Sequence, residues 1–146
     1  MNLNFSVDMV NMDLEPEKYK EKARKVLWLS MHKMMELAKK RAPVDTGLLR
    51  RSITLTPAHM GASTYILADG VNYGSHLEFG TSPHFPPVKP LNLWARRVLG
   101  NEQLGYAVAK SISIRGTPAH PFFRPAKLEV ETIWLKAYWD RVMAEA

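Results

Sequence analysis

Cysteine is absent from this 146-residue chain. That excludes disulfides, thiolate metal sites and a cysteine nucleophile, and it agrees with a reducing compartment. Long apolar runs are absent too, since none reaches the roughly 18 residues needed to span a bilayer. The opening Met1-Asn2-Leu3-Asn4-Phe5 carries neither the basic nor the apolar stretch of a secretory signal, so the expected compartment is the cytoplasm. Acidic residues are scarce in the middle of the chain, where Asp69 and Glu78 are the only ones between Tyr65 and Gly100. A hydrolytic site built on paired carboxylates has little to draw on there. Nucleophile elbow, phosphate loop, dinucleotide fingerprint and His-Glu-x-x-His helix are all missing. These absences predict a protein that is not an enzyme, with no catalytic residues, no cofactor, no metal site and no membrane partner.

What is present suffices for folding. Hydrophobic residues make up 46% of the chain and include four tryptophans, enough for one core without a crosslink, so residues 1–146 read as a single domain. The net charge is +6. Between Glu15 and Ala42 nine Lys or Arg stand against four Glu, which leaves +5 in that one segment. Two readings of it stay open, a solvated helix face or attraction to nucleic acid or to an acidic protein surface. Among the five histidines, His32 has Glu36 at i+4, the spacing of a surface contact. His76, Glu78, His84 and His120 converge only if the turns Gly80-Thr81 and Gly116-Thr117 meet in space. Otherwise the imidazoles fix loop conformations by donating and accepting hydrogen bonds.

Periodicity predicts an α+β fold. Residues 2–10 alternate with Leu3, Phe5, Val7 and Met9 on one side, as in an edge or near-edge strand. A long helix is expected from Asp13 as N-cap, with Pro16 in its first turn, to about Ala42. Its core stripe is Tyr19, Ala23, Val26, Leu27, Met34, Leu37 and Ala38. Residues 51–57 and 63–69 read as a hairpin with its tip at 58–62, and residues 73–79 as a short helix ended by Gly80. Two further helices are expected, one closed by Gly100 and one over 102–114, although Ser111-Ile112-Ser113-Ile114 also alternates like a strand. A C-terminal helix spans 125–144. The small antiparallel sheet is thus packed by a long N-terminal helix and a C-terminal helix, with shorter helices between.

Both long helices carry apolar residues on two faces. Trp28, Met31 and Met35 are assigned to the far side of the first. On the C-terminal helix Ala126, Val130, Ile133, Trp134, Ala137 and Tyr138 form one stripe, and Leu128, Leu135, Trp139 and Val142 another. Two apolar faces need two partners. Trp28, Met31, Met35, Leu128, Leu135, Trp139 and Val142 are therefore the candidate subunit contacts.

Three blocks stand out by order and spacing. The first is Ala42-Pro43-Val44-Asp45-Thr46-Gly47-Leu48-Leu49-Arg50-Arg51-Ser52-Ile53, a helix stop followed by a turn and an alternating run. Leu77-Glu78-Phe79-Gly80-Thr81 comes next, then Gly116-Thr117-Pro118-Ala119-His120-Pro121-Phe122-Phe123-Arg124-Pro125-Ala126. In this order they resemble the tailed-bacteriophage family of tail-completion, or head-tail joining, morphogenesis proteins, with the lambda-type minor tail protein Z as a relative. The matching positions are Pro43, Asp45, Thr46, Gly47, Arg50, Ser52, Glu78, Gly80, Thr81, Gly116, Pro121, Phe122 and Pro125. Their expected role is structural. Glu78 is expected to be partly buried and paired with Arg50, Arg51 or Arg124.

The resemblance implies a structural virion protein of the phage neck or tail end, assembled in the host cytoplasm. Its implied partners are itself, as a ring on the order of six or twelve copies, the phage connector or adaptor, and tail tube or terminator proteins. Double-stranded DNA would pass transiently and without sequence preference, and Lys18, Lys22, Lys25 and Lys39 are the candidate channel lining. The loops 58–62 and 82–90 are candidate docking elements. A tail terminator capping tube growth is the alternative within the resemblance. A nucleic-acid-binding protein using the basic helix is the alternative outside it.

Overall fold

A computed structural model describes residues 5–8, 17–58 and 64–145. Strands β1 (Phe5–Asp8), β2 (Thr54–Pro57) and β3 (Thr64–Ala68) form an antiparallel sheet in the order β1-β3-β2, which puts β1 on an edge. Leu67 sits opposite Phe5 on one side and Leu55 on the other. Helix α1 (Glu17–Arg41) packs on β2 and β3 and runs antiparallel to a C-terminal helical rod. That rod consists of α6 (Phe123–Glu129), a π-helical turn (Val130–Trp134) and α7 (Leu135–Ala144). Its direction is set by three contacts at successive heights, Arg41 to Glu129, Lys33 over the Trp134 ring and Lys22 to the Met143 carbonyl.

The α+β architecture expected from the sequence is the observed one. The Asp13 cap, Pro16 and hairpin tip residues 59–62 lie outside the described residues. Two local differences stand out. Residues 48–52 open with a short helix, α2 (Leu48–Ser52), because the Arg51 amide closes on the Gly47 carbonyl at 3.0 Å before the strand begins. The run Ser111–Ile114 belongs to helix α5 (Leu104–Arg115), and its alternation does not make a strand.

The core joins α1, the start of the rod and β3 through Leu27, Met31, Met34, Leu37, Leu67, Phe122, Phe123, Ala126 and Val130. Tyr19, expected in the stripe, is exposed, since α1 is covered only from Ala23 onward. Met31 was expected on the far face but is buried. It lies only about 40° from Leu27 at about 100° per residue, inside the core stripe.

The C-terminal rod departs from its predicted stripes for one reason. In the π turn the Leu135 amide bonds the Val130 carbonyl, five residues back rather than four. This inserts one extra residue into the helical count. At about 100° per residue Val142 should sit about 120° from Val130, and subtracting one residue leaves about 20°. Val142 is accordingly buried with Val130, which corrects its assignment as a subunit contact, while Ile133 and Ala137 turn outward. The turn is anchored by Trp134, whose indole N–H donates to the Glu129 carboxylate at 3.1 Å with the Lys33 ammonium 4.5 Å from the ring centre.

Between α3 (Gly74–Phe79) and α6 the chain makes an excursion, α4 (Val88–Val98) and α5. These helices pack mainly on each other, with Ala95 and Ala109 fully buried at their contact. Residues 82–116 thus form a hairpin arm on the body.

Candidate functional site

The second and third motif blocks meet where this arm leaves the body. Glu78, on α3, is completely buried. Its Oε2 accepts the amide N–H of Phe122 at 2.7 Å and of Phe123 at 2.9 Å. Its Oε1 accepts the Arg124 amide at 2.9 Å and Nε at 3.2 Å. A helix start leaves its first amides without intrahelical partners, and here a carboxylate from another element takes them. The cost of burying Glu78 is offset by four donors and by the positive end of the helix. Of the three arginines available from sequence, Arg124 is the partner, and its guanidinium also lies 4.9 Å from the centre of the Phe79 ring. Phe122 and Phe123, both fully buried, fix the position of the capped turn. Pro125 falls in the first turn of α6, where its missing N–H costs nothing, and Pro121 is exposed just before it.

Beside Glu78 the arm is closed at its root. Thr81 and Thr117 form an isolated antiparallel bridge, with amide-to-carbonyl bonds of 3.1 and 3.2 Å and hydroxyls 2.9 Å apart. Gly80 and Gly116 precede them with nearly the same conformation, φ 73° and ψ −175° against φ 70° and ψ −161°. A side chain is excluded at both by space as well as by φ. A Cβ would stand 2.5 Å from the Thr117 carbonyl oxygen at Gly80, and 1.9 Å from that of Thr81 at Gly116. The two Gly-Thr turns therefore share one geometry, and each braces the other.

The first block ties in from the far side. Asp45 receives both Arg97 nitrogens at 3.0 and 2.6 Å, so the turn after α1 is tied to α4. That hydrogen bonding holds the Asp45 carboxyl below the usual carboxylate range. Pro43 is exposed at the end of α1, and the Arg50 guanidinium donates to the last buried carbonyl, that of Ala42, at 3.3 Å. Thr46 accepts the Leu48 amide through its hydroxyl, Gly47 takes φ 77°, and Ser52 bonds the Leu49 carbonyl at 2.8 Å. All are conformational roles.

A cleft of about 610 Å³ lies between arm and body, lined by Tyr73, His76, Leu77, Leu91, Trp94 and Ile112 among others. His76, His84 and His120 share it, while Glu78 points away into the cap. Among the described residues no three His, Cys, Asp or Glu are grouped to hold a metal ion. His32 engages the Trp28 carbonyl and ring, and Glu36 pairs with Lys33.

The remaining sequence candidates separate. Trp28, Leu128 and Leu135 are exposed, whereas Met35 and Trp139 are half-buried. The proposed DNA-facing lysines are not a free row. Lys22 donates to the Met143 and Glu145 carbonyls at the end of α7, and Lys25 pairs with the Glu145 carboxylate at 2.5 Å. Both sit where cations complement the negative end of a helix. Lys39 is half-buried, and the Lys18 side chain lies outside the described set. Sequence reasoning missed the arm as a unit. Its signal was the pair of Gly-Thr turns flanking 82–116. No family model, curated protein or solved structure matches this chain.

Proposed function

We propose that this chain is a structural protein of the phage neck or tail end, forming a ring that joins the head connector to the tail tube and leaves a path for DNA. The observation that carries the reading is that all three motif blocks join arm to body, the Glu78 cap and the Thr81–Thr117 bridge at the arm's root and the Asp45–Arg97 pair at the far end of α4. The motif residues thereby hold two parts of the molecule at a fixed angle, as a component that must present several surfaces at once requires. Exposed apolar side chains on both the arm and the C-terminal rod suit such an assembly. The nucleic-acid-binding reading loses support, because Lys22 and Lys25 are committed to the α7 terminus.

The test is to disable the gene in its phage and inspect lysates by electron microscopy. DNA-filled heads and finished tails accumulating apart are expected. Overlong tails would indicate a terminator instead, and a normal yield of complete infectious particles would refute a neck or tail-end role altogether.

A further inference from the structure

We infer that the hairpin arm seats on a second copy of this chain, its apolar tip and flanks covering that copy's outward-turned Leu128–Ile133 face. This rests on the ring reading above and assigns its contact surfaces.

The arm has spent its small residues on its own interior and shows its large ones outside. Leu93, Val98, Leu99, Leu104, Tyr106 and Ile114 are each between 40% and 67% exposed. Val98, Leu99 and Leu104 surround the turn between α4 and α5, so the tip itself is apolar. Taking roughly 150–200 Å² for each large apolar side chain, six of them about half exposed present on the order of 500 Å². A standard interface takes about 800 Å² from each partner, so the arm supplies most of one. The arm is held at a fixed angle to its own body, by the Thr81–Thr117 bridge and the flanking glycine conformations at its root and by the Asp45–Arg97 pair at the far end of α4.

Charge selects how the second copy is oriented. The arm carries Lys89, Arg96, Arg97, Lys110 and Arg115 against Glu102, five less one, or +4 of the chain's +6. Arm against arm across a two-fold axis would oppose like charges, so the acceptor is a different surface. Outside the arm, Leu128 at 62% and Ile133 at 58% are the most exposed large apolar side chains among the described residues. Leu128 precedes the π turn and Ile133 lies within it, and its smaller rotation per residue brings them nearer each other than the roughly 140° that five residues make in a regular helix. Around them Glu131 pairs with Lys127, and Asp140 with Lys136, a neutral surface that a basic arm can approach. A contact between unlike surfaces propagates head to tail, and closes into a ring when the rotation permits.

Sedimentation equilibrium on the full chain tests this with two double variants, Leu99→Asp with Leu104→Asp on the arm, and Leu128→Asp with Ile133→Asp on the acceptor. Wild type is expected to associate beyond a dimer as concentration rises. Each variant alone should associate at least about tenfold more weakly, and an equimolar mixture should form a one-to-one complex, because each supplies the face the other has lost. All four side chains are exposed, and circular dichroism checks that folding is kept, with Gln replacing Asp if it is not. Association of either variant at wild-type strength, a mixture that stays monomeric, or a monomeric wild type would each overturn the assignment. Variants that associate at wild-type strength would leave the ring reading standing, which the lysate experiment judges separately.

Discussion

Glu78→Gln replaces one oxygen by an amide nitrogen, and the structure gives that change a large cost. Each carboxylate oxygen accepts two donors, Oε2 from Phe122 and Phe123 and Oε1 from the Arg124 amide and Nε. A glutamine carbonyl can serve one pair, and its NH₂ must then face the other two donors with none of the three groups able to accept. Phe122 and Phe123 are fully buried, so the turn has no room to relax or admit water. Leaving a buried donor unmet costs about 1–3 kcal/mol, which puts the variant on the order of 3–4 kcal/mol below wild type. That is a substantial part of the roughly 5–15 kcal/mol holding a domain together, and near 150 residues it lowers Tm by roughly 10 °C. Arg124→Gln is the control. Its side chain is 54% exposed, so it should cost no more than about 1 kcal/mol. Urea unfolding of both variants measures the ranking. A Glu78→Gln loss under about 1 kcal/mol, or equal losses in the two variants, would refute the carboxylate as the clamp on α6.

Gly116→Ala should be far worse than Gly100→Ala, because both have positive φ but only Gly116 has a carbonyl in the Cβ position, and Gly100 meets nothing within 4 Å. Thermal melts should show about 1 kcal/mol of left-handed strain at Gly100 and at least about 3 kcal/mol, or failure to fold, at Gly116. Burial pushes the Asp69 carboxyl up, with one of its oxygens unpaired, against a partial lowering by the Val71 amide. A raised folded value means its charged form works against folding once pH rises above the unfolded value of about 4. Asp69→Asn should therefore compare more favourably with wild type at pH 7 than at pH 3, and an equal effect at both pH values would refute this. Asp45 and Glu129 run the other way, since Arg97 and Arg41 hold their carboxyls low and their contributions fade as pH falls. Deleting Thr132, whose exposed hydroxyl bonds back to the Leu128 carbonyl, should turn the π turn into regular α-helix and keep Val142 inside, at a cost below about 1 kcal/mol by calorimetry.

Element boundaries were legible wherever glycine or proline forced them. Pro43 ends α1, Gly80 ends α3 and Gly116 ends α5, all within a residue or two of the expected positions. What the sequence hid depends on counts and partners that are not local. The C-terminal stripes presume a constant 100° per residue, and a single five-residue hydrogen bond invalidates every position after Trp134. Met31 shows the opposite failure, a wrong angle assigned where the helix is regular. For Glu78 the sequence offered three arginines, and only the arrival of α6 beside α3 selects Arg124. Even then the guanidinium is the lesser partner, because three of the four bonds come from backbone amides that no residue pattern reveals.

The same limit applies to the basic helix. Counting charge along Glu15–Ala42 treats each cation as free, but charge becomes a binding surface only after internal pairing is subtracted. Glu17 takes Lys20 and Arg24, Glu36 takes Lys33, Glu129 takes Arg41, and the end of α7 takes Lys22 and Lys25. Among the described residues, only Arg96 and Arg97 of the arm's five cations have carboxylate partners, and the Arg96 contact is long at 4.0 Å. Lys89, Lys110 and Arg115 therefore stand, among the described residues, without a carboxylate partner on the same arm that carries the largest display of exposed apolar side chains. A surface that is both basic and apolar is poorly suited to staying bare in water. Both features make physical sense once the arm is a surface meant to be covered, with its rim of charge choosing which face of the neighbouring molecule it meets.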